Sequence, residues 1–210
     1  YNHLPVMAGA LADEYFGLQD GAAEISESDL DSYLTRAFGP AGLSLKSGYQ
    51  VLIEQSPISA QKTIAGDNGF IRTVRDWAQL LSANNDAVYV YYFSRPAPVF
   101  RLYVPARPDL HGDGGARSLG AYHSGELAYV FDNLDVVGIG WEPQDYMLSE
   151  KIADYWFNFA SSGNPNGPGL PNWPAYDSTS RMVQILDAEV RSAIHPRSAN
   201  MDRIDALVEP

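Results

Sequence analysis

The stretch Ala87–Phe93, "AVYVYYF", constrains the fold more than any other. It has no charged residue and no alternation, and it is β-branched or aromatic almost throughout. A strand with one wet face alternates polar and apolar residues, so this one is expected to be interior and covered on both sides. "LPVMAGAL" (Leu4–Leu11) and "RMVQIL" (Arg181–Leu186) are the other strand candidates. Leu4–Gly9, Ala87–Phe93 and Met182–Leu186 are expected to share one sheet.

Between the strands lie helical patterns. "SESDLDSYLTRAF" places Leu30, Tyr33, Leu34 and Phe38 at helical spacing, with Ser26 or Ser28 as cap and "GPAG" as stop. "GYQVLIEQ" fits strand or helix. "GDNGFIRTVRDWAQLLSANND" opens on turn residues and continues as an amphipathic helix through Ile71, Val74, Trp77, Ala78 and Leu81. "LSEKIADYWFNFASSGNP" presents Ile152, Tyr155, Trp156 and Phe159 on one face and stops at Gly163 and Pro165. The Pro- and Gly-rich "NPNGPGLPNWPAYD" must be irregular, and a helical tail closes the chain. Strands alternating with helices, without repeat or linker, indicate a single α/β unit with few strands, flanking helices and long loops.

Composition excludes several functions. A net charge of −12 over 210 residues opposes nucleic acid and anionic membrane surfaces. No apolar run approaches the length of a membrane span. The absence of cysteine removes disulfides, thiolate nucleophiles and thiolate metal sites. No two histidines have zinc-site spacing, and no cofactor motif is present. "HGDGG" at His111 neither follows a strand nor opens a helix, so it reads as a turn.

Among the histidines, only His123 has a suggestive setting. In "SLGAYHSGELAYVF" it is flanked by the small residues Gly120, Ala121, Ser124 and Gly125, and Glu126 follows. Two readings stand open: a loop histidine without a task, or a general base approached by substrate. Asp13 and Glu14 leave the first strand, where functional groups of open α/β sheets gather. Either is a loop charge or an orienter for a distant imidazole. A nucleophilic serine would need the tight G-x-S-x-G turn. Only Ser44 has a glycine two before it, Gly42, and Lys46 stands where the second glycine belongs.

At these residues the chain resembles the type-B carboxylesterases, the family of the cholinesterases and para-nitrobenzyl esterases. "LGAYHSGELAYVF" resembles their histidine motif and "LPVMAGALADEYF" their strand-then-acid segment. The Trp77 helix with its strand, and the Trp156 helix with its Trp-Pro loop, follow in family order. The resemblance runs from about Leu4 to about Leu186. It implies the C-terminal portion of an α/β-hydrolase fold, with residues 1–210 one part of a single catalytic domain. It implies Glu14 as triad acid, His123 as base, Glu126 as structural support, and packing roles for Phe70, Trp77, Trp156 and Trp173. Tyr15 departs from the glycine common after the acidic pair.

The family's serine elbow and oxyanion loop belong to an N-terminal portion not found in these residues, and "YNHLPVMAG" reads like the middle of a protein. The resemblance therefore implies hydrolysis of small-molecule carboxylic esters through an acyl-enzyme, with that N-terminal portion as partner and no cofactor or metal. The isolated chain is expected to be inactive. The alternative is a non-catalytic, cholinesterase-like binding or adhesion protein of the neuroligin-like branch.

Overall fold

In the computed structural model the residues described are 3–16, 24–84, 87–99, 117, 119–137 and 140–208. His111 and its "HGDGG" lie outside them. Four strands form one sheet in the order β1 (Val6–Leu11), β2 (Val88–Phe93), β3 (Met182–Leu186) and β4 (Arg191–Ile194). The first three are parallel, and β4 returns antiparallel to β3.

β2 lies between β1 and β3, as its composition requires. Tyr89 and Phe93 enter one core with Trp173, Tyr155 and Ile152. Val88, Val90 and Tyr92 enter a second, with Ile71, Ala78 and Leu81. The first core is closed by α7 (Pro143–Ser162), which ends at Gly163 in the left-handed conformation (φ 75°). Trp173 is fully buried, and its indole N–H donates to the Val90 carbonyl at 3.1 Å. The second core is closed by α4 (Arg72–Ser82) and α8 (Ser198–Val208).

A third core forms between α1 (Glu27–Phe38), α2 (Lys46–Gln55), α3 (Pro57–Gly66) and α8. Ser26 caps α1 through a capping box with Asp29. The ambiguous "GYQVLIEQ" lies in α2, because Tyr49 and Ile53, four apart, are buried on one helical face.

Four expectations need correction. β1 runs two residues further than expected, through Ala10 and Leu11. Its small residues mark close packing rather than a loop: Gly9 pairs with Tyr91, whose ring occupies the space a Cβ would take. "GDNG" is helical, because Asp67–Ile71 forms a π-helical turn joining α3 to α4. There the acid loop packs against Gly66, whose Cβ position lies 3.6 Å from that of Glu14, an ordinary contact distance. Trp77 is 51% exposed rather than packed, because it falls at the edge of the stripe formed by Ile71, Ala78 and Leu81. β4 was not expected, since "RSAI" is short and partly exposed.

The Gly9 contact makes a measurable prediction. Gly9→Ala forces the Tyr91 ring out of place and should cost about 1–3 kcal/mol of stability, as overpacking does. Urea unfolding checks it, and a second change, Tyr91→Ala, should render the alanine at position 9 nearly harmless.

Candidate active site

β1 delivers its acids at its carboxyl end, one turn beyond Leu11. Glu14 is 4% exposed. Its Oε1 accepts from the Leu11 backbone N–H at 2.8 Å, which folds the side chain back over the strand end. Its Oε2 lies 2.6 Å from Nδ1 of His123, although 109 residues separate the two. The sequence left the pairing of these two residues to the fold, and the fold brings them together. With Nδ1 committed to Glu14, Nε2 is the ring nitrogen available for chemistry.

The loop carrying His123 is held from several sides. Asp13 and Ala121 exchange backbone and side-chain hydrogen bonds, and Asp13 forms an isolated parallel bridge with Tyr122. The Tyr122 hydroxyl donates to the Pro98 carbonyl at 3.0 Å. The Phe70 ring, on the π-helical turn, lies 5.2 Å from the imidazole at a tilt of 49°. Tyr15 packs edge-on against Phe70, so its departure from glycine adds a wall beside the pair.

Beyond His123 the chain enters α5 (Leu127–Val130) and α6 (Leu134–Val137). Glu126, at the start of α5, is largely enclosed. Burial pushes its carboxyl up, the Glu14 charge adds to this, and its Oε2 has no hydrogen-bond partner among the described residues. Tyr129 of α5 donates to fully buried Asp145, which also takes a bond from Arg95 at 2.8 Å and an ion pair from Arg117. Burial alone would raise the Asp145 carboxyl, but the two guanidiniums outweigh it and hold it below the usual range. Arg95 follows β2 and Arg117 precedes the histidine loop, so Asp145 joins both to α7. Sequence reasoning missed this hub: locally Asp145 only completes a capping box, accepting from the Glu142 N–H at 2.7 Å, and its other partners lie 16–50 residues away.

The remaining candidates fall elsewhere. Ser44 sits in an exposed 3₁₀ turn, Pro40–Leu45, and donates to the Ala41 carbonyl at 2.8 Å. It is on no strand-to-helix elbow. Trp156 and Trp173 pack together with Tyr91. Among the described residues, no group of three or more His, Cys, Asp or Glu could hold a metal ion. No helix there is long and apolar enough to cross a membrane.

The four-stranded sheet is thus mixed, three strands parallel and one antiparallel, with the Glu14–His123 pair at the carboxyl end of β1. The structure aligns with a thermophilic para-nitrobenzyl esterase at a TM-score of 0.67 and 25% identity, over 95% of this chain and 38% of that one. A second para-nitrobenzyl esterase structure aligns at 0.69 and 24% identity, with the same coverage. The sequence model described as "Carboxylesterase family" matches residues 49–203. The chain therefore belongs to the carboxylesterase family. It is 32% identical to human cocaine esterase over 126 residues, 57% of this chain and 22% of that protein. It is 26% identical to rabbit (Oryctolagus cuniculus) liver carboxylesterase 1 over 196 residues, 88% of this chain and 34% of that protein. The chain thus spans roughly a fifth to a third of these curated relatives.

His195 packs as a structural group. It is 7% exposed, its Nδ1 accepts from the Arg197 backbone N–H at 3.0 Å, and its ring meets Tyr92. Burial, then the charges of Arg197 and Arg75, pull it from 6.5 down to about 4. The unfolded chain therefore binds this proton below about pH 6.5, whereas the folded chain refuses it until about pH 4. Stability attributable to His195 is complete above that window and falls by roughly 3 kcal/mol across it. Unfolding free energies from urea titrations at pH 7 and pH 4.5 should differ by about that amount less in His195→Gln than in wild type.

Proposed function

We propose that this chain is the C-terminal part of the catalytic domain of a serine carboxylesterase, and that Glu14 and His123 are the acid and base of its triad. The observation that carries the reading is the 2.6 Å contact between Glu14 Oε2 and His123 Nδ1 at the carboxyl end of β1. Family membership supports ester hydrolysis in general, and the contact supports its assignment to these two residues.

The serine and the oxyanion donors come from the N-terminal portion of the same enzyme. Nε2 of His123 takes the proton as the serine oxygen attacks the ester carbonyl. The backbone donors stabilise the tetrahedral oxyanion. The imidazolium returns the proton to the leaving alcohol, and an acyl-enzyme remains. Water then attacks by the same route, with His123 again the base, and the carboxylic acid departs. Glu14 fixes the tautomer with hydrogen on Nδ1 and stabilises the imidazolium. Its bond to the Leu11 N–H keeps the carboxylate from following the ring as it moves.

The test is kinetic. Full-length enzyme should hydrolyse p-nitrophenyl acetate with a burst, and an alkyl fluorophosphonate should label one serine upstream of Tyr1. His123→Ala should cost about a thousandfold or more in kcat, and Glu14→Gln should also be costly, because an amide can hold the wrong tautomer. Residues 1–210 alone should match their own His123→Ala variant. Full-length turnover indifferent to His123, or a label on Ser44, would sink the assignment.

A further inference from the structure

Glu14 holds the His123 ring, but something must hold the loop from which the ring projects. The neighbouring acid makes that contact. Asp13 donates its backbone N–H to the Ala121 carbonyl at 3.1 Å and accepts the Ala121 N–H on Oδ2 at 2.8 Å. Ala121 is fully buried, so its N–H cannot turn to solvent instead. Adjacent residues of one loop thus divide the work: Asp13 grips the backbone two residues before the histidine, and Glu14 grips its imidazole.

Gly120 shows how close this grip is. It holds φ +66°, and a Cβ there would overlap the Asp13 carboxylate. Both the left-handed backbone and the contact call for glycine. The other tether on the histidine itself is weaker, a 3.4 Å bond from the His123 N–H to the Phe16 carbonyl. Burial raises the Asp13 carboxyl, while the Ala121 N–H and the charge of Arg197 act against the rise.

We infer that Asp13 is a positioning residue for the hydrolysis: its carboxylate sets the loop so that Nδ1 of His123 meets Glu14. This rests on the triad reading above. Removing the side chain leaves the backbone bond from Asp13 to Ala121 in place, so the loop should hinge rather than unfold. The Glu14–His123 distance is then no longer fixed. A displacement near 1 Å in such an assembly is worth about a hundredfold in rate.

The experiment compares Asp13→Ala, Asp13→Asn and His123→Ala in the full-length enzyme, with kcat expressed per fluorophosphonate-titrated site. Asp13→Ala should lose about a hundredfold in kcat with KM changed less than about threefold. The low-field proton resonance of the Nδ1–H between His123 and Glu14 should broaden or move upfield. Asp13→Asn should recover most of both, since an amide oxygen still accepts from Ala121. If Asp13→Ala yields no soluble protein, Asp13→Ser, whose hydroxyl is too short to reach Ala121, carries the same expectation. A kcat per site within about twofold of wild type, with only the melting temperature lowered, would show a purely structural residue and overturn the inference. An active His123→Ala enzyme would instead remove the triad reading beneath it.

Discussion

A parallel strand buried on both faces leaves little freedom to the chain around it. β2 must have a strand on either side, because its N–H and C=O groups find no water between the two cores. β1 and β3 fill those places, and α7 on one face and α4 with α8 on the other cover them. Register follows from side-chain bulk: Tyr91 is accommodated because Gly9 lies opposite. Once β1 is set against β2 in this register, the position of the acid loop is set as well.

The histidine loop is brought to the same edge by quite different means. Among the described residues, no strand pairing longer than the single Asp13–Tyr122 bridge attaches it to the sheet. Instead it is tied by polar contacts, with Asp13 on the sheet side and Tyr122 on Pro98. On the far side Asp145 gathers Arg95, Arg117 and Tyr129. Each of these contacts is buried or partly so, where a lost partner is costly. Rigid secondary structure sets Glu14, and a web of buried hydrogen bonds, most of them charge-assisted, sets the loop of His123.

Much of the scaffold was legible in the sequence because local pattern and tertiary role coincide. "AVYVYYF" is apolar on both faces and is interior; the face Ile152–Tyr155 of α7 is buried as its spacing demands. Misreadings occurred where a residue answers to a distant neighbour. Asp67 and the glycines around it look like a turn. However, Asp67 is buried under the Tyr49 hydroxyl at 2.6 Å, and Gly66 and Gly69 pack against Glu14 and Tyr15. Glu14 and His123 could be named individually from strand-exit position and small neighbours. Joining them needed either the family resemblance or the fold, since no spacing rule links residues that far apart. Asp145 and Asp13 were harder still, because the contacts that tie them to the histidine loop come from distant elements: Arg95, Arg117 and Tyr129 for one, the Ala121 backbone for the other.

On the proposed triad, Glu14 aims His123 at a nucleophile carried elsewhere in the full-length enzyme. A crystal structure of that enzyme, phosphonylated by an ester-mimicking fluorophosphonate, tests it most directly. Phosphorus should be bonded to a serine upstream of Tyr1, with His123 Nε2 within hydrogen-bonding reach of the adduct and Nδ1 still on Glu14. A serine adduct approached by another histidine, or His123 engaged with a carboxylate other than Glu14, would contradict it.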